Sequence, residues 1–320
     1  NGWFQAWYDD SLSLSNKYDL SIEKNLAGIG IWALGYDDGT DKLWNALKEK
    51  VGGLSKPSPP ISFNITNLGN GIISIDFQKS KSALSYTLTQ IFDNSDKTED
   101  YGLFYESPIL LQNLSLDSTY FFKLKANNEL GSSSYTEVLG TIPSLSTPKI
   151  LVVNGFDRKN GTKNSFDYIK QHGQAIGNMG YTFDATSNEA VINGHVKLND
   201  YLIIDWILGE EGSSSSSFDV NEQIKVTSFL KNGGRLFISG SEIGYDLVEK
   251  GNQYDKDFYY KVLKANYLSD APAGKQGVYD ITGVPGTIFD NFFFSFDNGT
   301  KGSYDVDWPD GIKPALNAES

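Results

Sequence analysis

Consecutive prolines set the first limit on what this chain can fold into. Pro57, Pro59 and Pro60, with Ser58 between them, cannot continue a helix or sit in a central strand, so residues 57–60 are an extended linker. A second break lies between Thr141-Ile142-Pro143 and Thr147-Pro148. The breaks divide the chain into residues 1–55, 57–146 and 148–320, without an internal repeat. A length of 320 residues is more than one ordinary core accommodates, which fits a multidomain protein whose segments each fold on their own pattern.

Charge and composition narrow the partners. Forty acidic against 27 basic residues leave a net charge of -13. Such a field repels nucleic acid and anionic membrane surfaces, although it also serves simply to keep a surface soluble. The absence of cysteine excludes a disulfide framework, a thiol nucleophile and a Cys-based zinc site. Abundant Asn, Ser, Thr, Gly and Tyr favour an exported protein, extracellular or on the cell surface. No stretch reaches the roughly 18 apolar residues of a membrane span. The chain opens inside the strand-like run Trp3-Phe4-Gln5-Ala6-Trp7-Tyr8 and stops at Ser320 without a terminal feature. It is therefore expected to be a fragment of a longer secreted protein, and the lack of a targeting signal carries no information.

The first segment reads strand, helix, strand, helix. Phe4 to Tyr8 is strand-like, Asp10 to Lys24 carries polar helix formers, and Gly28 to Leu34 reads as a short buried strand. Leu43, Trp44, Leu47 and Val51 then recur at helical spacing. Two such units cannot close a core in some fifty residues and need the rest of a sheet or barrel. The motifs Trp7-Tyr8-Asp9-Asp10, Lys17-Tyr18-Asp19-Leu20 and Leu26 through Asp37 resemble the last two strands of a glycoside hydrolase family 18, chitinase-like (β/α)8 barrel. The resemblance implies that Trp32 forms the floor under the sugar beside the cleaved bond. It also implies a substrate-assisted mechanism in which one Glu protonates the glycosidic oxygen. That Glu belongs to an Asp-x-x-Asp-x-Asp-x-Glu run, and no such run occurs in this chain, so no catalytic residue is expected here. Trp32 is a sugar platform or an ordinary core tryptophan. Tyr8, Asp9 and Asp10 at the preceding strand end are pocket wall and hydrogen-bonding groups for sugar hydroxyls, or a solvated strand end.

The second segment alternates with period two over Ile72–Phe77 and Ser85–Ile91, as half-buried strands do. Leu114 through Ser133, with Leu114 and Tyr120 at the spacing of a tyrosine corner, resembles the second half of a fibronectin type III domain. Phe77 stands where that family usually has Trp. Such sandwiches are spacers or weak binding modules.

The third segment alternates apolar strands with helices. Strands are expected at Lys149–Val153, Tyr181–Asp184, Tyr201–Ile207 and Arg235–Gly240, and helices over Ser165–Met179 and Asn221–Lys231, the latter stopping at Gly233-Gly234. This order predicts a doubly wound parallel sheet with any site at the strand C-terminal ends. Asp157, Arg158, Asp205, Glu210, Glu211, Ser241 and Glu242 stand there. The turn Gly240-Ser241-Glu242-Ile243-Gly244 resembles the nucleophile turn of class I glutamine-amidotransferase-like domains, which have a flavodoxin-like fold. Glu242 occupies the nucleophile position but cannot perform acyl transfer. The resemblance therefore implies the fold and not the activity.

The two histidines offer little more. His172 lies mid-helix and is expected to be structural, whereas a Ser–His–acid triad would need His195 to fold back onto Ser241. No cofactor is expected unless the carboxylates hold calcium or magnesium, and no Asp-x-Asp-x-Asp-Gly loop sharpens that option. The serine run 213–217 is expected to be a mobile loop. The run Asn291 to Phe296 would be an aggregation hazard if exposed, so it is expected to be covered.

Three functions remain in view. The first is a fragment of a secreted glycan hydrolase acting on N-acetylglucosamine polymers, chitin or peptidoglycan, with the catalytic acid elsewhere. The second is a surface protein of structural or adhesive type that binds other cell-surface proteins. The third makes the α/β segment a hydrolase.

Overall fold

The computed structural model describes residues 9–24, 26–31, 39–51, 55–92, 97–116, 118–158, 167–212, 215–275, 277, 279–296 and 306–315. In the first segment these include helices α1 (Ser11–Glu23) and α2 (Lys42–Val51). Asp10 starts α1 with a reciprocal capping box, accepting from Ser13 N at 2.8 Å. The helices bury Tyr18 and Ala46 and are tied by Lys50 Nζ to Asp19 at 2.8 Å. The strand expected over 28–34 does not form across Gly28–Ile31, and Ile31 is exposed. A strand buried on both faces needs neighbours on both edges, and the described residues supply none there.

The second segment is a two-sheet sandwich. Strands β1 (Ile61–Gly69), β2 (Ile72–Gln78) and β5 (Ile109–Leu111) make one sheet. The other contains β3 (Ser85–Ile91), β4 (Thr98–Phe104), β6 (Tyr120–Asn128), β7 (Gly131–Ser132) and β8 (Leu139–Thr141). Period-two alternation sends Ile73, Ile75 and Phe77 from β2 into the core with Tyr86 and Leu88 from β3. Phe77 fills the expected Trp position by packing its ring 4.6 Å from Tyr86. The tyrosine corner closes as Ser115 N donates to Tyr120 Oη at 3.0 Å.

In the third segment β9 (Ile150–Asn154), β10 (Phe183–Ser187), β11 (Ile203–Gly209) and β12 (Arg235–Gly240) run parallel in the order β10-β9-β11-β12. Helix α3 (Tyr168–Asn178) covers one face through Ile169, against Val152, Phe183 and Ile207. Helices α4 (Asn188–Ile192) and α5 (Val220–Lys231) cover the other through Val191, Val226 and Phe229, against Leu151, Ile204 and Trp206. Both faces of the sheet are therefore covered, which explains the continuous apolar run Ile150-Leu151-Val152-Val153 of β9 and the burial of β10 and β11 even at Asp184, Thr186 and Asp205.

The two segments are not separate bodies. Strand β1 pairs antiparallel with β10, Asn64 opposite Thr186 and Ile65 opposite Ala185, giving one seven-stranded sheet, β12-β11-β9-β10-β1-β2-β5. One apolar cluster runs from Phe63, Ile73 and Phe121 of the sandwich to Val152, Phe183 and Ile207. Gly173 lets α3 lie close to both parts, since a Cβ there would stand 2.7 Å from Phe183 and 3.4 Å from Phe121. Residues 143–148 turn the chain without separating the packing, so the expectation of independent patterns is corrected by a shared sheet and core.

Past β12 the chain forms π-helical stretches at Tyr245–Lys250 and Phe258–Val262 around α6 (Gln253–Asp257). Two small ribbons follow, β13 (Ala265–Ser269) with β16 (Gly311–Pro314) and β14 (Tyr279–Thr282) with β15 (Phe293–Phe296). Phe292, Phe293 and Phe294 are exposed, so the covering expected for this run is not provided by the described residues. No helix among those residues is long and apolar enough to cross a membrane.

Candidate functional site

The C-terminal ends of β9, β10, β11 and β12 lie along one side of the sheet because all four strands are parallel. Six of the seven residues singled out for this region lie on the segments that leave β9, β11 and β12. Arg158 joins three of the acidic ones. Its backbone N–H donates to Glu211 Oε2 at 3.1 Å, its Nη1 donates to the Glu210 carbonyl at 3.3 Å, and the same nitrogen is 3.8 Å from Glu242 Oε2. Glu210 Oε1 accepts from Asp307 N at 3.0 Å. Ser241 is buried, its N–H donating to Gly209 O at 2.9 Å and its carbonyl accepting from Asp310 N at 2.8 Å.

Burial dominates the electrostatics. Asp157 is pushed up to about 6, first by burial and then by the Glu189 and Glu211 carboxylates. Glu242 rises to about 7 through burial, with Arg158 pulling the other way and Asp270 and Glu210 adding to the rise. Glu211 is also raised, mainly by burial.

Sequence reasoning missed three further acids here. Glu222 is pushed up to about 8 by burial, while Asp219 N and Asn188 Nδ2 donate to it at 2.7 and 3.0 Å. Glu137, contributed by the sandwich, also reaches about 8 through burial and the Glu189 and Asp157 charges. Asp310 reaches about 7 while accepting from Gly244 N at 2.5 Å. The capping box Asp219-x-x-Glu222 was legible as a helix start, but nothing local indicated that Glu222 would be buried.

The remaining candidates lie elsewhere. Asp205 sits inside β11 and meets His172 Nδ1 at 2.7 Å through Oδ2, so it does not join the strand-end group. His172 is thereby tied to a carboxylate that sequence reasoning had placed in the site. His195 is exposed on the connection from α4 to β11, whereas Ser241 is buried and its Oγ has no hydrogen-bond partner among the described residues, so the two do not form a triad. Asp9 pairs with Lys17 at 2.7 Å, and the Asp10 carboxylate caps α1, where the Ser13 hydrogen bonds hold its pKa down. Tyr8 and Trp32 lie outside the described residues.

Chemically, the strand ends gather protonatable carboxyl groups around a guanidinium. Glu242, at the position where the sequence resemblance expects a nucleophile, has a φ that is not among the positive values found in the described residues. The strained elbow that presents a nucleophile is therefore not formed. Among the described residues no group of three or more His, Asp or Glu side chains is placed to hold a metal ion.

No known protein family matches the sequence, and no curated protein matches it. Among solved structures the similarity falls on fibronectin type III domains. The solution structure of the fibronectin type-III domain of human fibronectin type III domain containing protein 3 is 24% identical, with 29% of this chain and 90% of that domain covered and a TM-score of 0.25. The crystal structure of FN3tt is 22% identical over 29% of this chain and 95% of that one, with a TM-score of 0.25. Its mutant form is 23% identical over 26% and 91%, with a TM-score of 0.24. The chain thus resembles fibronectin type III domains over a minor part of its length.

Proposed function

We propose that this chain is the accessory, non-catalytic part of a secreted or cell-surface modular protein acting on N-acetylglucosamine polymers of the chitin or peptidoglycan type. The sugar side of the reading rests on the barrel-end motifs, in which Tyr8, Asp9, Asp10 and Trp32 line a pocket and the catalytic acid comes from elsewhere. The non-catalytic side rests on one observation. Glu242 stands where acyl transfer needs Cys or Ser, in a turn without the strained backbone, with its carboxylate 3.8 Å from Arg158. A carboxyl group so placed holds charge or binds a ligand. The doubly wound, amidotransferase-like reading of the third segment belongs to the same proposal, supported by four parallel strands with helices on both faces.

The test is retention of the purified chain on insoluble chitin and on peptidoglycan, with soluble sugar measured in parallel. Retention without release is expected. Trp32→Ala should lower retention at least tenfold, and Glu242→Gln should leave it unchanged. Release of soluble product, lost in Ser241→Ala or Glu242→Gln, would instead make the α/β part a hydrolase. Failure to bind either polymer would remove the glycan and leave a structural or adhesive role toward other surface proteins.

A further inference from the structure

Strand β12 has the sequence of an interior strand and the position of an edge. Leu236-Phe237-Ile238 is an unbroken apolar run, the pattern of a parallel strand covered on both faces. Yet among the described residues β12 is the last strand of its sheet, paired with β11 on one side and with no strand on the other. Phe237 is 54% exposed, whereas Ile204, Trp206 and Leu208 on the neighbouring strand are fully buried. Natural edge strands are blunted by charge, proline, bulges or a covering element. This strand carries a single charge, Arg235 at its start, and no proline.

A cavity of about 740 Å³ lies along that edge. It is lined from both faces of the sheet, by His172 on the α3 side and by Leu236 and Ile238 on the other. Leu263, Ile281 and Ile312 also line it, Leu263 within the same apolar cluster as Leu236 and Ile238. Space reached from both faces of the last strand is the space the next strand of the sheet would occupy. Among the described residues no Lys or Arg lines it, while Glu210 and Asp310 stand at the strand's C-terminal end. The chain as a whole carries a net charge of -13. An occupant that matches this lining is extended, apolar on both faces and basic at the end that reaches those acids.

We propose that the outer edge of β12 and the cavity beside it form a strand-acceptor site for an extended apolar peptide segment carrying a basic residue. The segment adds to the sheet by main-chain hydrogen bonding, and its basic side chain meets Glu210 and Asp310. This inference is independent of the glycan reading, since it concerns a different surface and a peptide ligand.

Hydrogen exchange of the full chain, read over residues 235–240, tests it with acetyl-Val-Thr-Val-Ile-Val-Arg-amide as probe. The peptide should slow exchange there at least tenfold and leave β3 and β6 unchanged. Replacing its Arg by Glu should raise the concentration required at least tenfold, and replacing its Ile by Pro should abolish the effect. Phe237→Lys, at an exposed position the fold tolerates, should abolish it too. Unchanged exchange at 235–240, or equal slowing by the Arg and Glu peptides, would overturn the proposal. Protection of β12 without peptide that grows with protein concentration would also overturn it, by identifying the occupant as a second copy of the chain.

Discussion

Burial keeps Glu222 protonated at pH values where a free glutamate is ionised, because the carboxylate loses its hydration where the start of α5 meets Asn188 of α4. Its folded pKa of about 8 stands above the ordinary 4.5, so the folded protein binds this proton more tightly than the unfolded chain. The resulting stability is fully present below about 4.5 and is lost as pH rises through about 8. Asp157, Glu242 and Asp310 act in the same direction over lower windows, with folded values of about 6, 7 and 7. Calorimetry should therefore give a higher Tm at about pH 5 than at about pH 8. Glu222→Gln, which mimics the neutral acid, should flatten that slope; an unchanged slope would count against a buried neutral Glu222. Gly155 poses a steric problem at the same strand ends. A Cβ there would stand 2.0 Å from Trp206 Nε1, on a fully buried ring. Gly155→Ala should cost about 1–3 kcal/mol through overpacking, read as a lower urea midpoint at unchanged m-value.

Among the elements, the β1–β10 pair depends on a buried polar network. Asp184 Oδ1 accepts from Asn67 N and Nδ2 at 2.8 and 2.9 Å, and its Oδ2 accepts from Tyr201 Oη at 2.9 Å. Asn67 Nδ2 also reaches Thr141 Oγ1 at 2.8 Å, and Asn67 Oδ1 accepts from Ser144 N at 2.9 Å. Asp184→Ala would leave three donors without this acceptor, at a cost of about 3 kcal/mol or more. Exchange should then quicken in β1 and β10 together; quickening in one strand alone would contradict the pairing. The elements themselves were legible. The apolar run Arg235–Gly240 coincides with β12, and the Leu114–Tyr120 spacing gives the tyrosine corner. The joint was not legible. Asn64, Asn67, Asp184 and Thr186 are buried in it, and a period-two pattern cannot distinguish a polar side chain aimed at water from one aimed at a polar partner more than a hundred residues away. His172 and Asp205 escaped for the same reason, as partners across 33 positions. The strand expected over 28–34 is not formed at Gly28–Ile31, because an apolar run specifies a strand only where neighbours pair with it.

For the molecule as a whole, the shared sheet and shared apolar cluster predict that the sandwich and the parallel sheet unfold together. Tyr86 in one and Trp206 in the other are both buried, so tyrosine and tryptophan signals should report one coincident transition. Two resolved transitions would show that the joint is weaker than its network suggests. A fragment of residues 57–146 would expose the β1 edge and the Phe121–Ile142 side of its core, and it should melt far below the intact chain. Sandwich modules in modular proteins are interchangeable when each closes on itself, like beads on a string. Here the bead is cut open: β10 takes the outer edge of β1, and replacing the sandwich by a similar one would leave β10 without its neighbour. The joint is an elbow set at folding by the twist of one sheet, rather than a hinge set by the length of residues 143–148. Whatever the parallel sheet carries at its strand ends is aimed in a fixed direction relative to the sandwich, and lengthening that linker would not re-aim it.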